Sequence, residues 1–172
     1  MRTLLGRCAV PFPSAPPAWF AAPLRLIVGY GFMAHGYAKL ARGPEHFTQI
    51  LHALGMPMPE LLSWATILVE LLGGAAVLVG LFIPLASVPM IVVLLVAIVT
   101  VHLPNGFSSI KLQSMTATGA HFGQPGYETD LLYIAALMAL VSGGAGPWAL
   151  DRAILGERDQ LRTRPTASSQ RA

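Results

Sequence analysis

Apolar residues in this chain gather into long unbroken blocks. The narrow helical stripe and the strand alternation that mark half-buried elements of soluble domains are both missing from them. The longest block runs from Leu61 to Leu103 and carries one formally charged side chain, Glu70, with His102 at its far end. It is too long for a single crossing of a hydrocarbon core ~30 Å thick. Gly80-Leu81-Phe82-Ile83-Pro84 divides it into two halves, each reaching the ~20 residues that a spanning helix needs. Two further blocks run from near Pro23 to Ala41 and from Leu131 to Leu150. The pattern predicts an all-α fold, a bundle of four transmembrane helices. Between the first two spans, PEHFTQILHALG sets Phe47, Ile50, Leu51 and Leu54 at i, i+3, i+4 and i+7. This predicts a short helix lying in the membrane interface. Residues 108–126 are expected to be the longest non-helical connection.

Composition agrees with a membrane chain. Hydrophobic residues make up 54% of the sequence and charged residues 11%, against about 25% charged in a typical soluble domain. Three regions are expected: a disordered N-terminal extension at 1–20, a helical membrane domain at 21–153 and a disordered basic tail at 154–172. The proline-rich start lacks the sustained apolar core of a cleaved signal. Cys8 is the only cysteine, which excludes an internal disulfide and a C-x-x-C redox pair. Lys and Arg counts near the span ends set the expected orientation. Arg2, Arg7, Arg25, Arg152, Arg158, Arg162, Arg164 and Arg171 fall on one side, Lys39, Arg42 and Lys111 on the other. Both termini are therefore expected on the cytoplasmic side. The basic tail suits anionic lipid, and nothing points to nucleic acid.

Ionisable groups inside apolar blocks are the candidates for function. A charge near the centre of a bilayer costs roughly 2.5–3.5 kcal/mol on insertion scales, a cost that holding helices together does not require. Glu70 stands alone in its span, on a face shared with Thr66, Gly73, Gly74 and Val77. His35 and Lys39 lie one turn apart in the first span, among small residues that let another helix approach. By helical rise, His35 and Glu70 each lie about 15 Å from the start of their spans and face each other near the midplane. His102 and Glu128 sit at the mouths of the third and fourth spans. The expectation is a polar pocket lined by His35, Lys39, Glu70, His102 and Glu128. Such a pocket suits proton transfer or a quinone, whose carbonyl oxygens need donors on reduction and whose tail needs lipid access. A buried ion pair that only fixes helix register is the structural alternative. The histidine spacings match no tight metal or haem motif, and Arg25 is expected to anchor the interface by snorkelling.

Four pieces in order resemble the DoxX family of small bacterial membrane proteins. They are Arg25 with FMAHGYAKL (32–40), VELLGGAAVLVGL (69–81), VHLPNGF (101–107), and GYETDLLYIAALMAL with GAGPWALD. The resemblance covers residues 20–155 and implies a four-helix bundle in the cytoplasmic membrane. It also implies a loose association with quinone-linked electron transfer. Pro84 departs from the family, which often places a basic residue there. The lead into the fourth span departs too.

The functional expectation is a quinone-associated or redox-complex subunit, an oxidoreductase component without a redox cofactor of its own. Quinone is then the ligand, and the bilayer, a redox-complex subunit and a second copy of the chain are the partners. The alternatives are a small-solute or proton conduit and a non-catalytic membrane assembly subunit.

Overall fold

The computed structural model describes residues 19–151 and residue 154. The expected N-terminal extension and basic tail lie almost wholly outside the described residues, as do Arg2, Arg7, Cys8 and Arg152. Among the described residues, the main elements follow one another in chain order. They are α1 (Ala21–Ala41), α2 (Pro44–Ala53), α3 (Pro59–Val79), α4 (Ile83–Asn105), strands β1 (Leu112–Thr116) and β2 (Gly119–Phe122), and α5 (Glu128–Gly143). Helices α3 and α4 are long and apolar enough to cross a membrane. Helix α1 has the length, with 21 residues, but carries Arg25 and Lys39. Helix α5 has only 16 residues, shorter than its apolar block, because Gly144 (φ 83°), Gly146 (φ 76°) and Pro147 end it.

The four long helices pack as a bundle around Val28 and Phe32 of α1, Val77 of α3, Met90 and Leu94 of α4, and Leu137 and Leu140 of α5. Small residues bring α1 and α3 together. A β-carbon on Gly29 would stand 2.7 Å from the Gly74 carbonyl oxygen, and one on Gly74 would stand 2.8 Å from the Gly29 oxygen. The two backbones therefore touch, and only glycine fits at either position.

Each long apolar rod contains one π-helical turn, Val69–Gly73 in α3 and Ile98–His102 in α4. Such a turn inserts one residue and rotates the remainder of the helix, and it recurs at functional sites. Here it splits the glycine pair: Gly74 meets α1, whereas Gly73 meets the Met90 side chain of α4. The expected single face through Thr66, Glu70, Gly73, Gly74 and Val77 is accordingly divided. Ile67, Glu70, Gly74 and Val77 form the buried line.

The end of the bundle near Arg25 is tied by polar contacts. Arg25 is not at the surface; it is 8% exposed. Its guanidinium donates to the carbonyls of Ala145 (2.8 Å), Pro147 (3.1 Å), Trp148 (3.4 Å) and Leu78 (3.1 and 3.3 Å). The expected snorkelling role gives way to a buried one because orphan carbonyls at the end of α3 and in the loop after α5 converge on this position. Asp151 completes the tie. Its Oδ2 accepts the Phe82 N–H at 2.9 Å, and its own N–H donates to Gly80 O at 3.2 Å. The three-residue connection from α3 to α4 is thereby locked.

The hairpin lies outside the all-α expectation. LQSMT and GAHF contain a single β-branched residue, Thr116, so propensity gave no strand signal. Its ends are set by backbone bonds between the two stems: Gly126 N–H to Ser108 O, Tyr127 N–H to Gly106 O and Glu128 N–H to Phe107 O.

Two substitutions test this packing. Gly74→Leu is expected to lower thermal stability in detergent by about 1–3 kcal/mol or more, because backbone atoms cannot yield as side chains do. Arg25→Met is expected to cost several kcal/mol, with Arg25→Lys recovering only part, since buried carbonyls are left without donors. Detergent thermal melts followed by circular dichroism measure both.

Candidate functional site

A carboxylate in the middle of an apolar helix needs a cation within reach, and α1 supplies one. The close α1–α3 approach at Gly29 and Gly74 continues to Gly36, whose added β-carbon would meet Glu70 Cβ at 3.0 Å. One turn beyond Gly36, Lys39 extends along the same interface. Its Nζ lies 2.7 Å from Glu70 Oε1 and 2.6 Å from Oε2, donating to both oxygens. Glu70 is 5% exposed, while Lys39 is half-buried. The ammonium also sits 5.1 Å from the ring centroid of Phe47, so α2 contributes a cation–π contact. Helix α2 is held in place by Leu51, which is buried, and by the Ser63 hydroxyl, which donates to Pro44 O at 3.1 Å.

His35 lies one turn before Lys39 within electrostatic reach of Glu70, but its side chain is exposed on the outside of the bundle. The arrangement is therefore graded across α1. A buried acceptor comes first, then a half-buried ammonium, then an imidazole at the surface. A ligand approaching from the side would meet a donor and a titratable group before reaching the carboxylate.

A second pair forms at the opposite end from Arg25. His102 Nδ1 and Asp130 Oδ2 are 2.5 Å apart, linking the π-helical turn of α4 to the first turn of α5. Asp130 is buried and His102 half-buried. Glu128, expected as a pocket residue, has a different partner: its Oε2 accepts the Ser109 N–H at 2.9 Å. Its neighbour Thr129 shares a hydroxyl contact with Ser109 at 2.7 Å. Both residues fasten the 106–111 segment to the start of α5. From the sequence, Glu128 and not Asp130 is expected among the pocket residues, although both are first-turn carboxylates of α5. Only the direction from which α4 approaches distinguishes them.

The five expected residues thus do not share one cavity. Lys39 and Glu70 come together with His35 beside them; His102 pairs with Asp130; Glu128 caps a loop. Met90 packs on Gly73, one turn from Glu70, and His102 lies twelve residues after Met90. The two pairs are therefore offset by roughly 13 Å along the bundle. The signal for Phe47 was present as part of an amphipathic stripe, but its contact with Lys39 depends on how α2 folds back. Among the described residues, no three of His, Cys, Asp and Glu gather as a metal site would require. A cleft of about 550 Å³ opens between α2 and the start of α3, lined by Glu45, Glu60, Gln49 and Trp64 among others.

Breaking the Lys39–Glu70 pair on one side leaves a buried charge alone. Lys39→Met is expected to destabilise by about 3–5 kcal/mol, and the double variant Lys39→Met/Glu70→Leu to recover most of that loss. A double-mutant cycle on detergent unfolding midpoints measures the coupling.

Comparison with known proteins agrees with the sequence pattern. The DoxX family model matches residues 20–103. A relative described as an uncharacterized membrane protein, from Mycobacterium tuberculosis, is 31% identical over 137 residues, covering 75% of this chain and 77% of the relative. No solved structure matches.

Proposed function

The chain belongs to the DoxX family of membrane proteins, and from that premise we propose that it serves a redox complex as a quinone-binding subunit. In this reading it crosses the bacterial inner membrane four times, with both termini in the cytoplasm. Helices α1 and α5 then cross beside α3 and α4. Helix α1 does so with its two cations turned to protein partners, Arg25 to carbonyls and Lys39 to Glu70. The excess of Arg around the Arg25 end supports the orientation.

One observation carries the ligand assignment: both Glu70 oxygens accept from a lysine that is itself half-exposed beside a surface histidine. A quinone ring arriving laterally between lipid chains would find the Lys39 ammonium as a donor to one carbonyl oxygen. In this proposal His35 and Glu70 give and take the protons that accompany reduction. The quinone itself would supply the redox chemistry, its electrons coming from a partner subunit. The chain's own residues bind the headgroup, hold the protons and exclude water.

The second reading, a proton or small-solute conduit, draws on the His102–Asp130 pair. That pair lies closer to the rim and places titratable groups at two levels of the bundle. A non-catalytic assembly subunit, the third reading, would use the Lys39–Glu70 pair only to fix helix register.

The deciding measurement is extraction and mass spectrometry of lipids that accompany the gently purified protein. Quinone is expected in wild type at a stoichiometric level and to be lost in the folded Glu70→Gln variant, with quinone-linked electron transfer in membranes falling alongside. Absence of quinone, together with unchanged electron transfer in that variant, overturns the assignment. Proton flux in proteoliposomes that is abolished by Asp130→Asn would favour the conduit instead.

A further inference from the structure

A two-stranded hairpin alone is marginal in water, because one sheet face has nothing to pack against. All nine residues of β1 and β2 are exposed, so the fold itself leaves this hairpin without a covering layer. Its side chains are nevertheless sorted by face. Met115 pairs with Ala120, and Leu112 with Phe122, whereas Ser114 pairs with His121 and Thr116 with Gly119.

The sorting depends on an irregularity between Leu112 and Ser114 that leaves Gln113 as an extra residue. Without it, strict pairing would set Gln113 opposite Phe122 and move Leu112 out of register. The inserted residue returns Leu112 to the face of Met115 and Phe122. The opposite face is polar: the Thr116 hydroxyl lies 3.2 Å from His121 Nε2 and 2.9 Å from the Thr118 hydroxyl. The apolar face is fully offered to its surroundings, with Leu112 59%, Met115 74% and Phe122 62% exposed.

We propose that this apolar face lies on the bilayer, seated at the headgroup–acyl boundary of the leaflet at the His102 end. Three observations choose lipid over other occupants. First, the chain leading into the hairpin is apolar and exposed at the end of α4 and beyond it, at Val99, Val101, Leu103, Phe107 and Ile110. Second, Leu112 is seven residues beyond the end of α4, at most about 25 Å of chain, and both stems are bonded to each other. The hairpin is thereby tethered to the end of the bundle at which α4 ends. Third, no carboxylate occurs between Gly106 and Tyr127, where Lys111 is the only permanently charged side chain. A basic residue beside an inserted apolar face suits lipid phosphate, whereas a carboxylate there would oppose it.

The test uses the full chain in nanodiscs, with Cys8→Ser as background and single cysteines at Met115, Phe122, Ser114 or Thr116. Each carries an environment-sensitive fluorophore. Seating on lipid predicts blue-shifted emission and quenching by shallow brominated lipids at 115 and 122. It also predicts severalfold greater aqueous iodide quenching at 114 and 116. Equal iodide access at all four positions, without lipid quenching, overturns the proposal. Shielding at 115 and 122 that persists in detergent and fades on dilution also overturns it, because a second copy would then be the occupant. All four positions are exposed, so the variants retain the fold. The outcome does not depend on whether the Lys39–Glu70 site binds quinone.

Discussion

The Lys39–Glu70 pair constrains the rest of the bundle. An ionised carboxylate in the middle of α3 is tolerable among apolar helices only if a cation meets both its oxygens, as Lys39 does at 2.6 and 2.7 Å. That demand fixes the rotation of α3 against α1 and requires the helices to lie close enough for a lysine side chain to bridge them. Gly29, Gly36 and Gly74 supply the closeness. The π-helical turn at Val69–Gly73 supplies the rotation, turning Glu70 and Gly74 toward α1 while Gly73 receives Met90 of α4. Glycines, bulge and ion pair are parts of one solution to one electrostatic problem.

The same logic recurs at both ends. Arg25 gathers carbonyls from α3 and from the loop after α5, and Asp151 returns to the α3–α4 turn. At the other end, His102 meets Asp130 across the second π-helical turn. The motif pieces that carry the family resemblance thus meet in pairs at three levels. Arg25 meets GAGPWALD, FMAHGYAKL meets VELLGG, and VHLPNGF meets GYETD. Each junction joins elements distant in sequence through a polar contact in apolar surroundings. There an unsatisfied partner is far more costly than in water.

Much of this was legible in the sequence because lipid leaves so few options. Unbroken apolar runs with lone charges had to be helices, and PEHFTQILHA had to be an amphipathic one. Glu70, Lys39 and His35 stood out because charge is expensive in those runs. Other features were hidden for specific reasons. Glu128 and Asp130 are equivalent to a reader of helix N-termini, and only the approach of α4 separates a loop fastener from the partner of His102. Arg25 looked like an interface anchor because nothing local reveals carbonyls contributed from residues 78 and 145–148. The hairpin was invisible because its strands lack all but one β-branched residue.

Composition and periodicity by themselves determined a helical membrane protein and the few titratable groups placed at a cost within it. Those properties depend on each residue's own transfer free energy and on spacing along one helix, both of which are local. Which carboxylate His102 meets, which carbonyls Arg25 meets, and which face of the hairpin is apolar were decided by tertiary structure alone. They arise from backbone contacts between remote glycines, from single inserted residues in α3, α4 and β1, and from the side on which each neighbouring element arrives. Such relations have no expression in a linear pattern, because one inserted residue turns a helix by about 100° and reverses the face of a strand.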